Sequence, residues 1–375
     1  MSAFLQGITK VGVCTAVLVV CSMAAADDGI RDLEPPEEAI VVSPKTQLMR
    51  GDSAEGTVPP GQLLAFIKAK GDWRYNPEFR GWVNVRDVVA LDKAVDYFSS
   101  LIDKQATPAA FHHRGIAYAA LGQWEESLAD IDEAIQRGDT SSFVFYNRGL
   151  AHLQLDQRDE ALKDFTQSIT LNPENLSALL ERGNLLIEQE HNEAALKDFD
   201  AAIAIAPESA VAHNHRGIGL RMLGRFEEAE AEYTKALKFS PQYSEAYANR
   251  AYVRCGLGTY PAAVEDYEAA LKLSPNIPEF LNDYAWLLAT CSDESVRNGQ
   301  RAVELSKQAC ELLDEDDPDF LDTLGAAYAR IGEFDEAIAA TVRALKFLGK
   351  SEAAANVVRR LKLYENKEPF TEVSE

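Results

Sequence analysis

The feature that most constrains this chain is a period: from Pro108 onward it repeats itself every 34 residues. Gly115, Gly149, Gly183 and Gly217 stand at one repeat position, and Ala251 replaces glycine in a fifth copy. Each copy begins with apolar residues at helical spacing, such as Phe111, Tyr118 and Tyr247. Several then carry a Gly-x-aromatic turn, as at Gly122 to Trp124, Gly224 to Phe226 and Gly258 to Tyr260. In the second half of a copy a small residue (Ser127, Ala161, Ala195, Ala229 or Ala263) lets two helices approach closely. A bulky one (Ile131, Phe165, Phe199, Tyr233 or Tyr267) then fills the space between hairpins. Pro173, Pro207, Pro241 and Pro275 end the second helix of four copies, and Gly138-Asp139 ends the first. A pair of helices this short cannot bury its apolar face alone, so it must stack on copies of itself.

These positions resemble the tetratricopeptide repeat, a helix-turn-helix unit of the same period. The resemblance implies an α-solenoid. A sixth copy, from Pro278, has a longer insert between its helices and is similar to a variant hairpin of bacterial exported members of the family. A seventh restores the pattern with Gly325, Tyr328, Gly332, Ala337 and Ala344. Leu91 to Gln105 reads as half a repeat capping one end, and the helix from Ser351 caps the other.

An arginine and an acid recur sixteen residues apart: Arg114 with Asp130, Arg148 with Asp164, Arg182 with Asp198, Arg216 with Glu232, and Arg250 with Asp266. Tyr284 and Leu324 replace the arginine in the last two copies, where Leu305 and Ala340 replace the acid, so the two types vanish together. Pairing within each repeat leaves no orphan. The expectation is therefore five structural ion pairs, each joining a first helix to its own second helix and contributing about 0 to 1 kcal/mol if partly exposed. The alternative is a ladder of arginines open to acidic ligands.

Residues 1–26 read as an export signal: Lys10, the apolar run Val11 to Met23, and the small residues Ala24 to Ala26 before cleavage. The run is too short to span a bilayer comfortably, so no integral span is expected after cleavage. The expected location is exported, periplasmic or secreted. Residues 27–38 read as an acidic linker. Residues 39–90 are rich in β-branched residues broken by Gly and Pro turns, which predicts a small antiparallel barrel. The order that ends in Gly61, Trp73 and Gly81-Trp82-Val83 resembles bacterial SH3-like domains. In that resemblance Trp73, Tyr75 and Trp82 form an aromatic ligand groove, or else pack the barrel core. The fold class is thus mainly α: a small all-β SH3-like barrel, a capping helix at 91–107, seven hairpins at 108–350, a second capping helix at 351–365 and a tail at 366–375.

The chain carries 37 Lys plus Arg against 60 Asp plus Glu, a net charge of −23. That field repels phosphate backbones and excludes nucleic acid as an expected partner. No phosphate loop, HExxH, GxSxG or paired metal-ligand motif occurs, so no catalytic residue, cofactor or metal is expected. His112-His113 and His213 with His215 fall at variable helix positions of the repeat. Cys255, Cys291 and Cys310, which remain beyond the signal, match no metal spacing and read as small buried residues.

What a repeat array offers is surface. The family resemblance implies that first helices line a concave face whose variable residues select a peptide or a partner helix. Here those positions are Phe143, Tyr146, Leu150, Leu180, Asn184, Ile218, Arg221, Tyr252 and Trp286; the alternative is that several, notably Leu150 and Ile218, pack against adjoining helices. One family subtype grips a terminal carboxylate with a lysine and an asparagine one turn apart. Asn184 fits, but Leu180 stands where the lysine should be. The expected function is a non-catalytic protein-interaction scaffold of the bacterial cell envelope. The alternative is a cell-wall (peptidoglycan) ligand-binding protein acting through the SH3-like domain, with the array as spacer.

Overall fold

The structure is a computed structural model that describes residues 31–41, 46–50, 53–58, 62–77, 81–313, 317–349 and 351–372. The expected signal at 1–26 and the turn glycine Gly61 lie outside the described residues. The chain is a tetratricopeptide-like helical solenoid preceded by a seven-stranded antiparallel sheet. It divides into two compact units, through Arg182 and from Gly183 onward.

In the first unit the strands are β1 (Arg31–Val41), β2 (Gln47–Arg50), β3 (Ser53–Thr57), β4 (Leu63–Lys70), β5 (Trp73–Asn76), β6 (Gly81–Asn84) and β7 (Val88–Ala90). Their order is β3-β2-β6-β5-β4-β1-β7. Alternation along β4 turns Leu64 and Phe66 inward onto Val41, Leu48 and Val83. The tight turn from β4 to β5 holds Gly71 at φ +56, a conformation that favours glycine.

β1 begins at Arg31, so residues 31–38, expected to be linker, are strand. The two prolines that suggested a linker sit where the β1–β4 register shifts, between Asp32 and Glu37. A bulge on a strand is a place where missing amide donors cost little. β7 runs directly into α1 (Leu91–Lys104). Ile40, Leu63 and Val89 of the sheet pack with Leu91, Ala94 and Phe98 of α1 and with Ala117, so the sheet is docked on the helices of its own unit.

The hairpins of this unit are α2 (Pro108–Ala120) with α3 (Trp124–Gln136) and α4 (Ser142–Gln154) with α5 (Arg158–Leu171). They are followed by α6 (Leu176–Glu188), in which the unit boundary falls. The second unit continues with α7 (Asn192–Ile205), α8 (Ala210–Met222), α9 (Phe226–Phe239), α10 (Ser244–Gly256) and α11 (Tyr260–Leu273). It ends with α12 (Pro278–Thr290), α13 (Gly299–Glu311), α14 (Pro318–Arg330), α15 (Phe334–Leu348) and α16 (Glu352–Glu365).

Local chemistry explains the boundaries. Thr107, Ser141 and Ser209 cap first helices by accepting from the amides of Ala110, Val144 and Ala212 at 3.2, 3.3 and 3.2 Å. Within six hairpins the turn residue adopts a left-handed conformation: Gly122, Asp156, Glu190, Gly224, Gly258 and Gly332 have φ between +59 and +82. The following amide reaches back five residues, as from Arg225 to Leu220 O at 2.9 Å, which satisfies carbonyls the helix end would otherwise leave unpaired.

Glycine in the first helix is a socket. A Cβ at Gly149, Gly183 or Gly217 would stand 2.7, 2.4 or 2.5 Å from the ring of Phe165, Phe199 or Tyr233, the bulky residue sixteen positions on. All three rings are fully buried. The residues that mark the period are therefore packing partners as well.

Candidate functional site

The arginines that follow this period sit beside the sockets. Arg114 Nε and Nη2 donate to both Asp130 oxygens at 2.7 Å. Arg148 grips Asp164 at 2.8 and 2.6 Å, and Arg250 grips Asp266 at 2.8 and 2.7 Å, in the same two-pronged way. Arg216 Nη1 lies 2.9 Å from Glu232. The acids are the buried partners: side chains of Asp164, Glu232 and Asp266 keep only 4 to 5% of their exposure.

A second contact was not legible in the sequence. A further guanidinium nitrogen of each arginine turns to the preceding helix pair, Arg148 to Asp132 at 2.9 Å, Arg216 to Asp200 at 2.7 Å and Arg250 to Thr234 at 3.1 Å. Arg182 Nη1 likewise donates to Thr166, and Arg114 Nη1 to Ser99 at 3.0 Å. One planar cation thus joins its own hairpin and ties it to the previous one, a geometry suited to guanidinium. These arginines are consumed by structure.

His112 and His213 are likewise engaged. His112 Nδ1 is 3.0 Å from Asp139, and its Nε2 is 2.9 Å from the Asn147 amide nitrogen. Burial alone would raise Asp139, but hydrogen bonds from His112 and Ser141 hold it at about 2. Burial, helped by neighbouring His112, lowers His113 to about 4. His213 directs Nδ1 to Glu232 at 2.6 Å and Nε2 to the Pro207 carbonyl at 2.9 Å. Among the described residues no group of three or more His, Cys, Asp or Glu side chains could hold a metal ion. Burial raises the thiol pKa of Cys255 and of Cys291, and no disulfide joins these cysteines.

The expected groove residues have different fates. In the first unit Phe143 is 59% exposed, while Tyr146, Leu150 and Leu180 are half-buried, Tyr146 against the Phe165 ring at 5.9 Å. In the second unit Ile218 is buried in a cluster with Leu196, Leu220 and Val253, which makes it a core residue. Asn184 is half-buried. The structure brings Arg221 and Tyr252 together, with the guanidinium 5.0 Å from the centre of an exposed ring. Trp286 is engaged by the chain itself: its indole N–H donates to Glu372 at 2.8 Å and its ring lies 5.9 Å from that of Phe370. Residues 366–375 read from the sequence only as a tail, although the Pro369-Phe370 that follows α16 signals a sharp stop and an apolar anchor.

On the sheet, Tyr75 and Trp82 are register partners with ring centres 5.4 Å apart, and Trp73 lies on the same side of β5 as Tyr75. All three are half-buried, on the face opposite Val83 of the core. A cavity of about 540 Å³ opens elsewhere, lined by Pro36, Glu37, Phe66, Arg74 and Val88, with Arg74 already bonded to Glu37 at 2.6 Å.

Stacked two-helix hairpins with these glycine sockets define a helical-repeat protein. A family model of the tetratricopeptide repeat matches residues 146–210, 180–244 and 214–278, successive frames stepped by one period, so these residues carry tetratricopeptide repeats. A tetratricopeptide repeat protein from Parabacteroides merdae is similar over 72% of this chain and 99% of its own, at 17% identity and a TM-score of 0.53. The anaphase-promoting-complex assembly Cut9–Hcn1 is similar over 63% of this chain and 46% of its own, at 14% identity and a TM-score of 0.55. YrrB, described as a repeat protein with an unusual peptide-binding site, covers 51% of this chain and 98% of its own at 18% identity, with a TM-score of 0.44. At these identities the likeness concerns the fold. No curated protein matches the sequence.

Proposed function

We propose that the chain is a non-catalytic scaffold that binds a peptide or helix of a partner protein along the inward positions of its first helices. The observation that carries this reading is the Arg221–Tyr252 pair: a ring 37% exposed, held under a guanidinium and filling no core. Exposed aromatic and arginine side chains are the usual anchors of protein interfaces. The acidic sequence, with a formal charge of −23, favours partner segments that bring apolar or basic groups. The scaffold works in the bacterial cell envelope, a reading supported by the signal-like residues 1–26. We take the sheet to be an SH3-like domain, on the strength of its Trp73, Tyr75 and Trp82 face.

The test uses the full chain as bait in a detergent-treated envelope extract, beside Tyr252→Ala and Phe143→Ala, two exposed positions whose loss leaves folding intact. Proteins retained by the parent chain and lost with either substitution support the groove. Retention unchanged by both variants would refute it. Sedimentation of the chain with purified cell wall alone would instead favour peptidoglycan binding through the sheet.

A further inference from the structure

We propose that the face formed by α12, α14 and α16 is a peptide site whose resident occupant is the chain's own segment Glu368–Glu372. A partner segment of the same chemistry, extended and carrying an aromatic residue two positions before a carboxylate, competes for it. This rests on the scaffold reading but concerns a different position, Trp286, from the one tested above.

The sixth hairpin explains why a site exists there. Its connection, residues 291–298, is longer than the three-residue turns elsewhere and does not fold back on α12 in the usual way. The last four carbonyls of α12 must therefore find other donors. Leu287 O takes the Cys291 amide at 3.0 Å and Leu288 O the Asn298 amide at 3.0 Å. Ala289 O takes Arg330 Nε at 2.5 Å, and Thr290 O takes the Glu372 amide at 2.8 Å. The tail thus supplies the fourth donor.

Sequence delivers the tail to this place. α16 ends with the Glu368 amide on Leu363 O at 2.9 Å and the Lys367 amide on Tyr364 O at 3.0 Å, with Lys367 at φ +62. That reversal, followed by Pro369, stops the helix and turns the chain back. Phe370 then lies against Trp286, and the Arg360 guanidinium stands 5.3 Å from the Trp286 ring and 5.5 Å from that of Phe370. Asp322 holds Arg360 through its Nε at 3.0 Å. Arg330 donates to the Phe370 carbonyl and to Thr371 Oγ1, the latter at 2.9 Å. The Trp286 indole closes the site on the Glu372 carboxylate.

Two kinds of contact follow. The main-chain bonds to Thr290 and Arg330 accept any extended peptide, while the ring pair and the indole–carboxylate bond select aromatic-x-acid. Arg330, bonded to uncharged acceptors, gives a strongly acidic molecule a local cationic spot for an acidic segment, whereas Arg360 is paired with Asp322. The segment is joined to α16 by a short connection and holds by the Phe370 ring, which packs on Trp286 and on the Ala329–Ala337–Tyr364 cluster, and by a few hydrogen bonds. Its effective concentration is of the order of millimolar, which a tighter free ligand can overcome.

The experiment follows the Trp286 indole N–H resonance in the full chain and in Phe370→Ala/Glu372→Ala, which empties the site without altering a helix. The probe is a synthetic peptide, NKEPFTEVSE. The resonance should move in the double variant, and peptide should return it to the parental position. Perturbing the parent should take about ten-fold more peptide or more. A peptide with alanine in place of its Phe and Glu should do nothing. An unmoved resonance in the double variant, or no response to millimolar peptide, overturns the proposal and leaves the tail a structural cap. A parental resonance that depends on protein concentration also overturns it, since the occupant is then the tail of a second copy. Each of these outcomes is independent of whether Tyr252→Ala loses a partner.

Discussion

The five hairpins from Pro108 to Leu273 and the two from Pro278 to Leu348 share one repeat but are held together by different chemistry. In four of the first group, at Arg114, Arg148, Arg216 and Arg250, an arginine at the position before the socket grips an acid of its own second helix, and all five arginines reach back to the preceding helix or hairpin. In the sixth hairpin Tyr284 takes that position, facing Leu305, and only the backward contact survives, from Tyr284 OH to Glu268 at 3.2 Å. Its ring stacks on Tyr267 at 5.6 Å. Two polar groups at this end, the Thr290 carbonyl and Arg330, are the ones the tail engages. Regularity spends its hydrogen-bonding groups on neighbours, and departure from it leaves some available.

The comparison can be broken most forcefully at a socket. Gly217→Val places carbon 2.5 Å or less from the fully buried Tyr233 ring, which has no room to retreat, and should cost about 3 kcal/mol. Urea unfolding followed with hydrogen exchange of α8 and α9 would detect it. A loss below about 1 kcal/mol would mean that the ring is not what demands glycine.

The next effect contrasts two chemistries at one repeat position. Arg148→Met strands Asp164, whose side chain is 5% exposed, and should cost about 2 kcal/mol, more than the surface value expected from the pattern alone. Tyr284→Phe, which removes one hydroxyl whose acceptor Glu268 is exposed to water, should cost about 0.5 kcal/mol. Equal losses measured by denaturant titration would erase the distinction between the groups.

The smallest effect lies at the turns. Asp156 and Glu190 hold left-handed backbone that four other hairpins assign to glycine, so Glu190→Gly should stabilise by about 0.5 kcal/mol, net of the entropy glycine adds to the unfolded chain. Destabilisation in the same assay would point to an undescribed role for the Glu190 side chain.

Legibility followed the range of the cause. The five arginine–acid positions stood out because both members recur at one spacing, whereas the second contact did not: its acceptors are Ser99, Asp132, Thr166, Asp200 and Thr234, which share hydrogen-bonding capacity but not identity. Strand β1 was hidden behind Pro35-Pro36, whose local meaning is a linker until a bulge against β4 accommodates them. For Ile218 the register leaves a groove position and a packed one open, and Leu196 and Val253 decide for packing. Trp286 reads as an open surface residue, and a segment more than eighty positions away covers it.

By itself the sequence determined the repeat, its helix ends and its turns, because capping, left-handed glycine and proline stops act within a few residues of backbone. It also determined the sockets in outline, since glycine and ring recur together. Only the tertiary structure decided which first-helix side chains remain exposed, how the sheet docks on α1, and where the tail lies. Those outcomes depend on which surfaces meet after the helices have formed, and burial is a property of the neighbours rather than of the residue.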